Sequence, residues 1–503
     1  MTTDAPAPAV LQDDPDDTSV LAALRSPARL RVELLAGLAV ALALIPEAIS
    51  FSILAGVDPR VGLYAAFTMA VTISITGGRR AMISGATGAI ALVVYPVADQ
   101  YGLDMLIATV LLAGVFQILM SLAGVARLMR FLPRSVMVGF VNALAILIFT
   151  AQLEELTGVP GVVYVMVAVG IVAMVLWPRV VPSIPAPLMV IVGLTAVSLL
   201  AGFDLPEVGD KGDLPSSLPG FFVPDVPFTL ETLQIIAPYA FAVALVGLIE
   251  SLMTAKLVDD ITDSHSDKTR EGWGQGVANL VTGMFGGMGG CAMIGQTMIN
   301  VKASGARTRI STFASGVFLM VLVVGLGDVV ERIPMAALVA VMIMVSVGTM
   351  DWHSVHPRTL RQMPASATVI MAATVLVTVL THNLAIGVIV GVLVATLFFA
   401  RRVAHFTSVT RLADGDDTCV YAVRGVMFFA SSNDLVYQFD YAHDPDNVVI
   451  DLSEAQIYDS STVAALDAIT LKYHQKGKQV EIIGLNDASA KWHSLSGKLG
   501  AGH

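Results

Sequence analysis

Two glycine-rich breaks interrupt long apolar stretches of this 503-residue chain, and they fall at matching places in its two halves. The first covers residues 83–90 (ISGATGAI) and the second covers residues 286–297 (GGMGGCAMIGQT). Each break is followed by an apolar run about long enough for half a membrane crossing at 1.5 Å per residue. The pattern predicts two helices that begin inside a bilayer and direct unpaired N–H groups at one point, which is the geometry of an anion site.

The composition indicates a membrane protein. Only 14% of the residues are charged and 55% are hydrophobic, whereas a soluble domain carries about 25% charge. The net charge of −11 argues against a nucleic-acid partner. Cys291 and Cys419 lie in different predicted regions and suggest no disulfide framework. Because no Walker loop, catalytic triad or metal-ligand cluster is recognisable, we expect a protein that is not an enzyme and has no cofactor or metal.

Hydropathy predicts a polytopic helical membrane protein of about 14 transmembrane segments. There are about seven segments per half, and the short, broken one is third in each half. Because the number of segments per half is odd, the two halves must be inverted relative to each other. The predicted segments are residues 34–54, 61–76, 87–97, 103–123, 135–151, 162–177 and 187–201, then 233–253, 274–284, 292–301, 312–326, 335–348, 368–380 and 384–400.

Loop charges set the predicted orientation. With a cytoplasmic N-terminus, the outside loops contain only Arg60, Lys211 and Arg332, and the remaining loop arginines and lysines face inward. We therefore expect a disordered N-terminal tail (1–24) and a transmembrane transport domain (25–407). The latter divides into one repeat (25–202), an acidic extracellular loop (203–231) and a second repeat (232–407).

The character of the chain changes after residue 407. Residues 420–430, 448–452 and 478–485 resemble strands, and residues 459–473 have helical spacing. We expect residues 408–503 to form a small α/β domain, and the predicted topology places it in the cytoplasm.

Several motifs together resemble one family. They are residues 35–38 (LAGL), 45–52 (IPEAISFS), 56–64 (GVDPRVGLY), 77–88 (GGRRAMISGATG) and 247–252 (GLIESL), followed by 449–452 (VIDL) and 457–461 (IYDSS) near the C-terminus. From about residue 25 to residue 497, the chain resembles the SulP (sulfate permease, solute carrier 26) anion transporters, which carry a C-terminal STAS domain.

The resemblance implies two inverted seven-helix repeats that form a core domain and a gate domain, usually in a homodimer. Members of the family carry sulfate, bicarbonate, chloride or carboxylates. The resemblance places the substrate between the N-termini of the third and tenth helices, where the matching residues are Ala86, Thr87 and Gly88 on one side and Cys291, Ala292 and Met293 on the other. The argument from the half-helices leads to the same place.

Gln296 occupies a position near which many family members carry arginine. We interpret Gln296 as a substrate-binding residue in a site that relies on backbone dipoles and neutral polar groups. Such a site either binds a doubly charged anion less tightly or has a greater need for a co-transported cation.

Three residues are candidates for ion coupling. Glu47 lies inside the first helix, where a charged carboxylate costs about 2.5–3.5 kcal/mol on insertion scales. Protonation avoids this cost and offsets the charge of an incoming anion. The alternative is a hydrated residue near the helix end. Glu250 and Thr254 share a helix face and suit a Na⁺ or H⁺ site, or else brace the broken helices.

These observations predict a secondary active transporter of small anions in a bacterial-type inner membrane, driven by H⁺ symport with an elevator-like mechanism. The partners would be the anion, H⁺ or Na⁺, lipid and a second copy of the chain. Alternatives are a Na⁺-coupled symporter, a passive channel or exchanger, a nucleobase permease with the same fold, and a signalling protein whose output is the STAS domain.

Overall fold

The computed structural model describes residues 19–128, 132–181, 185–404, 407–414 and 417–494. Most of the tail that was predicted to be disordered, residues 1–18, lies outside this part of the chain. Its last residues instead form the helix Val20–Arg25. The reason is a short run of good helix formers with one buried side chain, Ala23.

The helices of the first half follow the predicted segments closely. The predicted segments 87–97 and 103–123 form one run that is bent at Gly102, where φ is +82°. A glycine adopts this angle without a Cβ clash, so the chain turns without a connecting loop. The helices are Pro27–Leu54, Pro59–Thr76, Gly88–Leu122, Val125–Leu128, Arg134–Glu154, Gly161–Val180 and Ala186–Ala201.

The second half repeats this order after a connection that contains a short 3₁₀ helix, Val208–Lys211. Its third segment is short: the helix Ile294–Met298 continues as a π-helical turn, Ile299–Ala303. The other helices are Leu230–Thr262, Lys268–Met284, Arg309–Gly325, Gly327–Glu331, Met335–Thr349, Trp352–Val355, Pro357–Gln362, Ala365–Thr381 and Leu384–Ala404. Six helices in the described part of the chain are long and apolar enough to cross a membrane.

The membrane helices pack as two groups, which we call the core group and the gate group. The core group contains Pro27–Leu54, Pro59–Thr76, Gly88–Leu122, Leu230–Thr262, Lys268–Met284 and Arg309–Gly325, and the short helix Ile294–Met298 packs with it. The gate group contains Arg134–Glu154, Gly161–Val180, Ala186–Ala201, Met335–Thr349 and Ala365–Thr381. Each group draws on both halves of the chain, as the resemblance implies for a core and a gate domain.

Small residues allow close helix packing in the core group. A Cβ on Gly114 would approach the Gly276 carbonyl oxygen to 2.7 Å, and a Cβ on Gly276 would approach the Gly114 oxygen equally closely. These distances leave no room for a side chain, so glycine allows the two helices to touch along their backbones.

The two breaks meet in the middle of the core group. Ser84–Gly85 pairs antiparallel with Cys291–Ala292, with Ser84 opposite Ala292 and Gly85 opposite Cys291. The pairing continues through a hydrogen bond of 2.8 Å from the Met293 N–H to the Ile83 carbonyl. Antiparallel strands send the helices that follow them in opposite directions, which gives the two halves their inverted relation.

The C-terminal unit contains a four-stranded sheet of Ser408–Asp414, Thr418–Met427, Asn447–Ile457 and Gln479–Ile483, in that order. The first pair is antiparallel and the other two pairs are parallel. Its helices are Phe429–Leu435, Ser460–Gln475 and Asp487–His493. The first strand was not predicted, and the predicted strand 420–430 ends earlier because a helix begins at Phe429. Backbone contacts divide the chain into Met1–Gly391 and Val392–His503, so the boundary at residue 407 stays a prediction.

Candidate anion-binding site

The two half-helices begin side by side but are capped differently. Thr87 caps the first one, because its hydroxyl oxygen accepts a hydrogen bond from the Ile90 N–H at 3.4 Å. The second begins after Met293, which provides no side-chain cap. The start of the second half-helix is therefore the more open of the two to an external acceptor.

Backbone donors remain at both helix starts. Within the described chain, the N–H groups of Gly88 and Ala89 have no backbone hydrogen-bond acceptor, and neither do those of Ile294, Gly295 and Gln296. The next donor along the second helix, the Thr297 N–H, already bonds to the Met293 carbonyl at 3.1 Å. Unpaired N–H groups at a helix start carry partial positive charge and favour an anion.

A cavity of about 440 Å³ lies in front of these helix starts. Its volume is in the range of about 300–1,000 Å³ that is usual for small-molecule sites. The core group contributes Glu47, Phe51, Thr87, Gly88, Glu250, Met253, Met293, Ile294, Gly295 and Gln296. The gate group contributes Phe140, Val141, Leu144, Ile148, Val345, Gly348 and Thr349.

Six of the ten residues predicted for the site line this cavity, namely Thr87, Gly88, Met293, Gln296, Glu47 and Glu250. Ala292 is buried in the paired strands, and Ala86 is buried directly after the first of them. Cys291 is also buried there, with its Sγ 3.1 Å from the Thr87 hydroxyl oxygen. Thr254 is buried one turn after Glu250 in the same helix and does not line the cavity.

Two carboxylates face the cavity in different settings. Glu47 interacts with the Gln296 side-chain amide, and both side chains line the cavity. Glu250 accepts a hydrogen bond of 3.0 Å from the Cys291 thiol, which ties it to the second break. Thr254 donates its hydroxyl hydrogen to the Glu250 backbone carbonyl at 2.8 Å. The hydroxyl of Thr254 is thereby directed at the backbone and not at the Glu250 carboxylate.

A buried polar network holds the second break in place. Asn279 donates from Nδ2 to the Gly290 carbonyl at 3.0 Å and accepts the Gly290 N–H at 2.8 Å. The same Nδ2 donates to Gln117 Oε1 at 2.8 Å. Ser251 accepts the Ala292 N–H at 3.1 Å. Because these backbone groups are satisfied inside the protein, irregular backbone is tolerated at this depth.

Sequence reasoning missed most of the apolar wall. Phe51 lies four residues after Glu47, and Met253 lies three after Glu250, so helical spacing contained a signal for both. Gly295 lies inside the second predicted break (286–297), and it lines the cavity. The gate residues Val345 and Thr349 had no signal, since only the packing of the two helix groups brings them to the site.

Comparison with known proteins agrees with this geometry. The profile of the Sulfate permease family matches residues 30–172 and 161–374, and the profile of the STAS domain matches residues 411–498. The chain is 51% identical over 460 residues to a Bacillus subtilis (strain 168) protein named "Putative sulfate transporter YbaR", covering 92% of this chain and 95% of that one. This chain therefore belongs to the sulfate permease family, whose members are anion transporters.

A more distant relative is named for a different substrate. "Bicarbonate transporter BicA" of Picosynechococcus sp. (strain ATCC 27264 / PCC 7002 / PR-6) is 25% identical over 515 residues, which covers 90% of this chain and 88% of the relative.

Solved structures show the same fold. The transmembrane domain of a cyanobacterial BicA matches with a TM-score of 0.63 and 24% identity, covering 72% of this chain and 97% of that one. The murine Solute Carrier 26 family member A9 anion transporter, in its inward-facing state, matches with a TM-score of 0.80 and 17% identity. The match covers 93% of this chain and 87% of that one.

Proposed function

We propose that this protein is a secondary active transporter of small oxyanions or carboxylates, driven by symport with H⁺. The observation that carries the proposal is the cavity at the two helix starts, where Gly88, Gly295 and Gln296 are lining residues. Relatives named as sulfate and bicarbonate transporters support an inorganic oxyanion as the substrate class. The anion would accept hydrogen bonds from backbone N–H groups and from the Gln296 amide.

Glu47 is the proposed coupling residue. It faces the same cavity as the anion and interacts with Gln296, and no arginine or lysine lines that cavity among the described residues. A charged carboxylate there would repel the anion. A proton on Glu47 removes this repulsion, so proton and anion bind cooperatively and move together.

The cavity walls suggest how the site is moved. One wall belongs to the core group, and the opposite wall, which includes Phe140 and Ile148 of the helix Arg134–Glu154, belongs to the gate group. The gate side is mainly apolar and offers the anion few hydrogen bonds. We infer that the core group carries the anion past the gate group in an elevator-like step.

The Na⁺ alternative would use Glu250 and Thr254. A sodium ion needs several oxygen ligands, yet the Thr254 hydroxyl donates to the Glu250 backbone carbonyl. The Glu250 carboxylate accepts from the Cys291 thiol. These contacts favour a bracing role for the pair, and H⁺ remains the proposed coupling ion.

The test is uptake of radiolabelled sulfate and bicarbonate into proteoliposomes, with imposed H⁺ or Na⁺ gradients. We expect the wild type to accumulate an anion in response to an inward H⁺ gradient. Glu47→Gln should lose that response while exchange of internal for external anion continues. Glu231→Gln, an exposed carboxylate in the first turn of its helix, is the control and should behave as the wild type.

Other outcomes would identify the alternatives. Accumulation that follows Na⁺ and is lost in Glu250→Gln would replace H⁺ with Na⁺ as the coupling ion. Uptake that responds to neither the H⁺ gradient nor the Na⁺ gradient would indicate a passive channel or exchanger. Uptake of nucleobases in preference to anions would overturn the proposed substrate class.

We also propose that the protein is a homodimer in the bacterial plasma membrane, with the N-terminus and the STAS domain in the cytoplasm. The bias of arginine and lysine towards the loops on one side supports this orientation, and the homodimer is what the family resemblance implies. Labelling of single cysteines introduced at Asp213 and Ser408 should reach only the first from outside the cell. If deletion of residues 408–503 leaves uptake unchanged but abolishes a downstream response, the signalling alternative gains support.

A further inference from the structure

A second cavity, of about 330 Å³, lies at the end of the core group that the loop charges assign to the cytoplasm. Three segments form it. They are the turn before the first break (78–81), the connection between Leu230–Thr262 and Lys268–Met284, and the turn after the second half-helix (301–309). It shares no lining residue with the cavity at the helix starts.

This cavity is strongly basic. Five arginines line it together with one exposed histidine and one carboxylate, that of Asp267. The Asp267 side chain already accepts the Arg270 backbone N–H at 2.9 Å as the cap of the next helix. The arginines are Arg79, Arg80, Arg270, Arg307 and Arg309, and the histidine is His265.

Three of the arginines are held in place without being neutralised. Arg270 donates to the Thr76 carbonyl at 3.2 Å, Arg307 to the Val301 carbonyl at 2.7 Å and Arg309 to the Ser74 carbonyl at 3.0 Å. Across the described residues, none of these three forms an ion pair with a carboxylate. By contrast, Arg79 pairs with Asp259 at 3.1 Å.

Like charges surround Arg309. The guanidinium groups of Arg270 and Arg80 both act on it, and Glu271 is the opposing charge. The Glu271 carboxylate is itself occupied, because one of its oxygens accepts the N–H groups of Gly78 and Arg79 at 2.8 and 2.9 Å. A cluster of fixed cations around an open volume is the arrangement that an added anion stabilises.

We propose that this cavity binds an anionic phosphate group, supplied either by a lipid headgroup or by a phosphorylated solute of the cytoplasm. Guanidinium groups match phosphate oxygens with paired hydrogen bonds, and their charge persists at any physiological pH. The volume exceeds the needs of a bare ion and falls at the lower end of the range for small organic ligands. Arg80, Arg270 and Arg309 would contact the phosphate, with His265 at the mouth.

The ligand would connect parts of the core group that are distant in sequence. The turn 78–81 leads into the first break, and the turn 301–309 follows the second half-helix. An anion held by Arg80 and Arg309 bridges these turns. Since a ligand that binds only the folded state stabilises it, binding should raise the thermal unfolding midpoint without any need for transport.

The test uses the full-length protein in detergent and follows its thermal unfolding midpoint. Three probes are titrated: inorganic pyrophosphate, phosphatidylglycerol in mixed micelles, and phosphatidylcholine as a zwitterionic control. The Arg80→Gln/Arg270→Gln double variant is compared with Arg358→Gln/Arg361→Gln. The latter removes two exposed arginines from the short helix Pro357–Gln362, outside the cavity.

We expect pyrophosphate or phosphatidylglycerol to raise the midpoint, and phosphatidylcholine to have a weaker effect. Half-saturation should need at least tenfold more probe in the cavity variant and be unchanged in the control. A response to phosphatidylglycerol alone identifies a lipid headgroup, and a response to pyrophosphate identifies a soluble phosphate. If neither probe shifts the midpoint, or both double variants respond as the wild type does, the proposal is wrong.

A second variant covers the case in which the double variant fails to fold. His265→Glu places a carboxylate at the cavity and removes none of its arginines, so it should abolish the response. Gly295→Ala, which adds a methyl group in the other cavity, should keep the response. Loss of the response in Gly295→Ala but not in His265→Glu would assign the phosphate to the transport cavity instead.

Discussion

The two breaks share a backbone plan but differ in chemistry. Both contribute a short strand, Ser84–Gly85 or Cys291–Ala292, and the strands pair with each other. The first break is capped by Thr87 and continues as a long helix, whereas the second is uncapped and ends within ten residues in a π-helical turn. The inverted repeat therefore makes the two half-helices run in opposite directions but does not give them the same capping or the same free donors. Because of its open donors and the Gln296 amide, we propose that the second break is the main anion-binding side.

The largest effect on stability should come from disrupting the close backbone contact between the two breaks. A Cβ on Gly290 would overlap the Gly85 carbonyl oxygen. Gly290→Ala forces the paired strands apart, and we expect a loss of about 1–3 kcal/mol of stability or more. The measurement is the thermal unfolding midpoint and the yield of monodisperse protein. Wild-type yield and midpoint would show that the two breaks do not depend on this contact.

Gly295→Ala should separate binding from folding at the second break. A Cβ at Gly295 meets no atom within 4 Å, while one at Gly88 would lie 2.9 Å from the Phe51 ring. The Gly295 methyl group would occupy space meant for the anion, so we expect uptake to fall by about tenfold or more. The unfolding midpoint should stay near that of the wild type. Equal uptake by Gly295→Ala and the wild type would move the anion away from the second break.

Gln296→Arg should sharpen the asymmetry by adding a fixed cation. Hydrogen bonds to charged groups contribute about 1.5–3 kcal/mol, against about 0.5–1.5 for neutral ones, so we expect the anion to bind about tenfold more tightly. Dependence of uptake on the H⁺ gradient should weaken, because the arginine and Glu47 can neutralise each other. Gln296→Lys serves as a second cationic variant. Unchanged affinity in both would place the anion out of reach of this side chain.

The smallest effect should come from the cap of the first half-helix. Thr87→Val keeps the shape of the side chain but removes the acceptor for the Ile90 N–H, at a cost of about 1 kcal/mol. Thr87→Ser retains the hydroxyl and is the matched control. We expect a lower unfolding midpoint in the valine variant, with transport reduced less than in Gly295→Ala. If Thr87→Val loses as much transport as Gly295→Ala while its unfolding midpoint stays near that of the wild type, the first break takes a direct part in binding.

Sequence reasoning located the breaks because glycine clusters are conspicuous in apolar sequence. Glu47 and Glu250 were visible for a similar reason, since carboxylates are rare at membrane depth. The contacts of Cys291 were not visible, because they depend on which side chain of Leu230–Thr262 faces the second break. The basic cavity was also hidden: its arginines come from three distant segments and looked like ordinary positive loops.

The sequence by itself determined the class of protein, the inverted repeats and the two breaks. The length of each hydrophobic segment, the charge of each loop and the position of each glycine cluster are local properties that can be read from the sequence. The tertiary structure decided which helices form the core and gate groups, which face of each helix lines the cavity, and why Thr254 does not reach it. These are contacts between residues that are far apart in sequence, and packing in three dimensions selects them.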